Sequence, residues 1–178
     1  QLAAKNKFPA FRQYYLTLKG SRSTTFQSAS LTKDTVNLPY PSAGWQVVEN
    51  PAIGGSFSQP DSKGRFTLSA FAGSGERGEV MRKILFLTPG NYRFQALYSA
   101  QTGVSDGEIR WDLQCLAPTG NVGKWFVSTP VRQGNFAQSQ DFNIGNDCRN
   151  QVLVLQAAGG SNQLGAEFTL RAVDISQR

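Results

Sequence analysis

Five carboxylates are candidates for the pair that glycoside cleavage requires, two acids held at a defined separation across the bond. They are Glu76, Glu79, Asp106, Glu108 and Asp112. Glu76 and Glu79 lie in or beside the Gly-rich stretch Gly73 to Gly78, and Glu108 and Asp112 lie along one alternating segment. Acids at this frequency read equally well as solvated charges of turns and strand faces. The chain has no histidine, which removes Ser-His-Asp triads, Cys-His dyads and His-ligated zinc within it. A polysaccharide lyase using Tyr, Arg and His or Gln on a concave sheet has neither its His nor a dense Arg/Gln/Tyr motif here. The run GSGERG looks like a phosphate loop but lacks the Lys-Ser/Thr pair and the following helix. It reads as a flexible hairpin loop. The reading is therefore no enzyme, no cofactor and no metal.

Binding chemistry is better represented. In Asn91 to Tyr98 the apolar set Tyr92, Phe94, Ala96 and Tyr98 leaves Arg93, Gln95 and Leu97 on the other side. Ile109, Trp111, Leu113 and Cys115 leave Arg110, Asp112 and Gln114 opposite them, and Phe66, Leu68 and Ala70 leave Arg65, Thr67 and Ser69. Three strands would thus offer guanidinium, carboxylate, amide and hydroxyl groups, which suit the paired hydroxyls of a sugar. An ordinary solvated sheet face has the same composition. Trp45, after Ser42-Ala43-Gly44, and Trp125, after Gly120 to Lys124, are the candidate stacking plates; Trp111 reads as core. The candidate ligand-binding set is Trp45, Arg65, Arg93, Gln95, Arg110, Asp112, Gln114 and Trp125.

The elements that must position these residues are short strands. The period-two runs continue in Phe142 and Ile144, and in Phe168, Leu170 and Ala172. Glu79 to Leu87 and Gln151 to Ala157 are more continuously apolar, as strands covered on both faces are. Turn signals separate them at Asp61 to Gly64, Gly73 to Gly78, Pro89-Gly90 and Gly159-Gly160. Eighteen glycines and eight prolines among 178 residues fit such punctuation. The expected fold is all-β, an antiparallel β-sandwich or jelly roll of eight or nine strands, with a short N-terminal helix. That helix is expected at Phe8 to Leu18, where Phe8, Phe11, Tyr15 and Leu18 form a stripe closed by Gly20. The division expected is 1–34, helix and basic connector, and 35–178, the sandwich, the two being separable.

Net charge is +6, and Lys5, Lys7, Arg12, Lys19, Arg22 and Lys33 all precede the first acid, Asp34. The remaining chain is formally neutral, so a basic face for nucleic acid is not expected. No stretch approaches the ~20 apolar residues of a membrane span. The two cysteines, Cys115 and Cys148, close an apolar segment and precede another. They are either two buried thiols or one disulfide. The polar surroundings of Cys148, Asn146 to Asn150, favour the disulfide, worth about 3 to 4 kcal/mol and pointing to an oxidising compartment.

The run LTPGNYRFQALYSA, Leu87 to Ala100, resembles a segment of galactose-binding-like jelly rolls and carbohydrate-binding modules, in which a turn introduces a core-crossing strand. EFTLRAVDIS, Glu167 to Ser176, looks like their closing strand. The cysteine spacing, with CRNQVLVLQAAGG, looks like the C-terminal sandwich of bacterial envelope proteins. The resemblance covers about residues 36 to 178. It implies a noncatalytic module that recognises carbohydrate or polysaccharide, periplasmic or extracellular. Some such modules hold a calcium ion with a late-strand acid, here Asp174, but no further ligands match. The alternative is a structural or protein-interaction sandwich with a protein partner.

Overall fold

The computed structural model describes residues 29–32, 36, 44–102, 108–116, 122–130, 134–148, 150–161 and 165–178. The expected helix at Phe8 to Leu18 and the basic arm lie outside them. Ten strands are found among the described residues: β1 (Gln46–Val47), β2 (Ile53–Phe57), β3 (Leu68–Ala72), β4 (Arg77–Leu85) and β5 (Gly90–Thr102), then β6 (Glu108–Leu116), β7 (Val122–Val127), β8 (Gly134–Ile144), β9 (Gln151–Ala158) and β10 (Ala166–Gln177). They form two five-stranded antiparallel sheets, in the orders β1-β4-β9-β6-β7 and β2-β3-β10-β5-β8. The two sheets pack as a sandwich.

The inward sets follow the period-two pattern. Tyr92, Phe94, Ala96 and Tyr98 of β5 are all buried, as are Ile109, Trp111 and Leu113 of β6. Rings run across the core: Trp45 meets Trp111 edge-on at 5.9 Å, Phe94 lies 5.7 Å from Trp111 and 5.6 Å from Phe126, and Phe126 lies 4.9 Å from Phe142. Such contacts add about 0.5–1.5 kcal/mol each beyond their buried area. β9, central in its sheet, buries residues on both faces, in keeping with its continuous apolar run.

The core includes residues upstream of position 35: Ala29 and Leu31 are buried in it, Thr32 bridges Arg65, and Phe66 N donates to Leu31 O at 2.8 Å. Two expectations change. The Gly73 to Gly78 loop is no hairpin. It carries the chain from β3 in one sheet to β4 in the other, and it is tied down, Gly75 N donating to Gly160 O and Gly159 N to Glu76 O. Ala172 does not share a face with Phe168 and Leu170. Register shifts by one between Leu170 and Ala172, so Arg171 is an extra residue against β5, and Val173 and Ile175 take the inward positions. A β-bulge of this kind breaks the two-residue period and turns the following side chains over.

The disulfide is present. Cys115 and Cys148 are bonded with Cα atoms 5.3 Å apart. It joins the end of β6 to the approach to β9, beside the backbone bond from Leu116 N to Asn150 O. Next to it Gln151, fully buried, accepts from Leu87 N at 2.8 Å and donates to the carbonyls of Leu87 and Cys148. The amide thereby satisfies backbone groups that the sheets leave unpaired.

Candidate functional site

The candidate residues divide between opposite sides of the sandwich. Arg93 and Gln95 lie on the outer face of β5, in the sheet containing β10; Arg110, Asp112 and Gln114 lie on the outer face of β6, in the other sheet. No single surface holds all of them. Period two tells which residues share a strand face but not which sheet a strand joins.

On the β6 side the carboxylates pair with arginines. Glu108 accepts from Arg110 Nη1 at 3.0 Å and has Arg77 Nη1 at 3.7 Å. Arg110 Nε lies 3.5 Å from Asp112 Oδ1, and Asp112 is only 1% exposed. Arg82 clasps Glu79 with two nitrogens. Between them Val152 and Val154 of β9 are buried. Glu79, Glu108 and Asp112 are thus arginine-bound, not a carboxylate pair flanking a cleft, and Asp106 lies outside the described residues.

The β10 side is different. Its outer face is built in rows across the strands. Gly54, Phe71 and Glu167 stand in register on β2, β3 and β10. The next row is all hydroxyl: Ser56, Ser69, Thr169 and Ser99, on β2, β3, β10 and β5. Phe71 is 37% exposed and Leu97 of β5 is 42% exposed, large apolar groups left at this surface. Gly54 has a reason to be glycine. A Cβ there would sit 2.9 Å from Val48 O and 3.2 Å from Asn50 O, so the bare backbone lets the 48–50 segment lie against β2.

Two hollows share Thr169 in their walls. One of about 380 Å³ is lined by Ser56, Ser69, Phe71, Glu167 and Thr169. The other, about 600 Å³, is lined by Asp61, Arg65, Leu97, Thr169, Arg171 and Ala172. The second opens for a topological reason. Pairing of β3 with β10 ends at Leu68 and Leu170, and the chain before Leu68 departs to bridge Thr32. Arg171 stands at the vacated place. Arg65 is held at the rim by the Asp61 turn, whose carboxylate accepts from Lys63 N, Arg65 N and Arg65 Nε. Gly64, at φ 70, closes that turn in the left-handed conformation that suits glycine. These bonds, the Arg65 backbone and guanidinium first, hold the Asp61 carboxyl below its ordinary range.

Elsewhere on this face Arg93 forms a two-pronged pair with Asp141 at 2.8 and 3.0 Å, and Arg178 adds a third bond at 3.0 Å. That pairing, led by Arg93, depresses the Asp141 carboxyl. Gln95 pairs in register with Asp174, whose carboxyl is pushed up by burial. Among the described residues no three His, Cys, Asp or Glu side chains cluster. Trp45 is 5% exposed and donates from Nε1 to Ser30 O at 3.3 Å. It is a core residue rather than an exposed plate, because the segment at Ala29 to Leu31 covers it. Trp125 belongs to β7, and its side chain lies outside the described residues. Sequence reasoning missed Phe71, Thr169 and Arg171. Phe71 carried a signal, since a Phe out of phase with Phe66, Leu68 and Ala70 must face outward.

No protein-family model matches the chain, and no curated protein does. Solved structures match in fold. The CBM22-1 xylan-binding domain from Paenibacillus barcinonensis superposes with a TM-score of 0.55 at 10% identity, covering 84% of this chain and 92% of that one. TmCBM61, solved with β-1,4-galactotriose, matches with a TM-score of 0.51 at 13% identity, over 79% and 97% of the two chains. The enzymatically active domain of bacteriophage CBA120 tailspike protein 4 matches with a TM-score of 0.53 at 8% identity, over 75% of this chain but 19% of that one. The chain has the jelly-roll β-sandwich fold of carbohydrate-binding modules.

Proposed function

We propose that this chain is a noncatalytic carbohydrate-binding module acting in an oxidising compartment, the periplasm or the cell exterior. The observation that carries the reading is the outer face of the β10 sheet. There an exposed ring and an exposed leucine flank a four-hydroxyl row beside two adjacent hollows. A sugar has an apolar face and a rim of hydroxyls, and this surface offers a partner for each. The solved neighbours named for xylan binding and bound to β-1,4-galactotriose share the fold and support the class of ligand. The Cys115–Cys148 bond supports the compartment. The binding set is Arg65, Phe71, Ser69, Leu97, Thr169 and Arg171, with Arg93 and Gln95 at its margin.

Calorimetric titration with xylan fragments, β-1,4-galactotriose and a panel of neutral and acidic oligosaccharides tests this. Binding is expected to be modest, since an open groove returns little after ordering costs. Phe71→Ala should weaken it about tenfold, equivalent to about 1.4 kcal/mol. No heat with any glycan, together with a reproducible protein partner, would replace this reading by that of an interaction sandwich.

A further inference from the structure

We propose that the hollow at the β10 bulge takes the carboxylate of an acidic sugar, so that the ligand is a polysaccharide in which uronate units stand among neutral ones. This rests on the carbohydrate reading above and narrows it.

Charge complementarity selects the occupant. Among the described residues the outer face of the β10 sheet carries four guanidinium groups, and three are engaged: Arg65 by Asp61, Arg93 by Asp141, Arg178 also by Asp141. Arg171 has no ion pair or side-chain hydrogen bond among the described residues. It is the extra residue of the bulge, exposed, and lines the larger hollow with Leu97 and Ala172. Bulges commonly re-aim one side chain. A guanidinium fork with free donors matches a carboxylate with two parallel bonds. Leu97 and Ala172 supply the apolar floor for the ring that bears it.

The neighbouring hollow has the opposite sign. Glu167 stands there beside Phe71 and the hydroxyl row. A carboxylate accepts bonds from sugar hydroxyls and repels a second acid. From Glu167 to Arg171 is about 13 Å along an extended strand, the reach of a short oligosaccharide rather than of one sugar. A chain lying along β10 would therefore place a uronate at Arg171 and a neutral unit at Phe71.

The test uses the full chain and matched ligands. Hexasaccharides of hyaluronan, oligogalacturonate and glucuronic acid-substituted xylan are each titrated beside a carboxyl-reduced, neutral twin. The protein variants are wild type, Arg171→Gln and Arg171→Lys. The hyaluronan or the glucuronic acid-substituted xylan hexamer should bind about tenfold more tightly than its twin, with the preference shrinking in high salt; a preference confined to oligogalacturonate, acidic at every unit, overturns the inference. The difference between acid and twin should vanish in Arg171→Gln, and Arg171→Lys should restore part of it. The Arg171 side chain is exposed, so circular dichroism and melting should be unaltered. Equal binding of acid and twin in every pair overturns the inference and leaves the carbohydrate reading standing. A preference that survives Arg171→Gln also overturns it and moves the charge contact to the basic residues before Asp34. Binding of neutral glycans alone overturns the inference only; no binding of any glycan overturns both.

Discussion

Tyr98 shows how one hydroxyl joins two sheets. It accepts from Trp111 Nε1 on β6 at 2.6 Å and donates to Gln138 Oε1 on β8 at 2.9 Å, and Gln138 passes the chain on to Thr129. Tyr98, Trp111 and Gln138 are buried, and burial pushes the phenol well above its ordinary value. Tyr98→Phe keeps the ring but leaves the indole N–H and the amide oxygen without this partner. It should cost roughly 1–3 kcal/mol in urea unfolding, and a wild-type midpoint would show that the network is not a stabilising link. Asp174 makes the opposite case. Half-burial raises its carboxyl pKa above the usual 3.8, so folding is disfavoured by its charge at neutral pH. The stability tied to its protonated form is full below about 3.8 and is lost as pH rises through the raised value. Asp174→Asn should therefore melt at or above the wild-type temperature at pH 7, and the gap should close below pH 3.8. A variant less stable at pH 7 would mean that the carboxylate has a favourable partner. Asp61 and Asp141, both depressed, act the other way: what they contribute is present at neutral pH and is lost on acidification below the ordinary aspartate value.

At the level of elements, the disulfide and the upstream segment are the two ties with measurable weight. Replacing both Cys115 and Cys148 by Ser should lower stability by about 3–4 kcal/mol; an unchanged unfolding midpoint would place the stabilisation elsewhere, for instance in Gln151. A chain beginning at Thr35 loses Ala29 and Leu31 from the core and the cover over Trp45. It should be less stable than one beginning at Ala29 by about 3 kcal/mol, read as a lower melting temperature and a red-shifted tryptophan emission. Equal melting would support a division at 34/35. Much of this architecture was legible in the residues. Alternation placed Tyr92, Phe94, Ala96 and Tyr98 inward, the continuous run Val152 to Leu155 announced a strand buried on both faces, and the polar setting of Cys148 favoured the bridge. What was not legible depends on long-range pairing. No local pattern reveals that β5 and β6 join different sheets, which is why Arg93 and Arg110 were grouped and then separated. Nor does it reveal a bulge at Arg171, because an extra residue looks like a change of phase only once the partner strand is known. Trp45 was read as a loop plate because its cover comes from residues near Ser30.

For the whole molecule, strand order matters more than strand content. β10, the last strand in the chain, lies between β3 and β5, and its inward residues Phe168, Leu170, Val173 and Ile175 fill the middle of the core. Removing residues 166–178 should abolish cooperative unfolding rather than trim an edge, whereas a shortened edge strand β2 should leave a two-state melt. A cooperative melt without β10 would refute this. The same position has a consequence for the order of assembly. Until β10 arrives, β3 and β5 face a gap where their shared partner belongs. Sandwiches dominated by distant pairings fold slowly, and the pairing of Leu68 with Leu170 closes the sheet across most of the described chain.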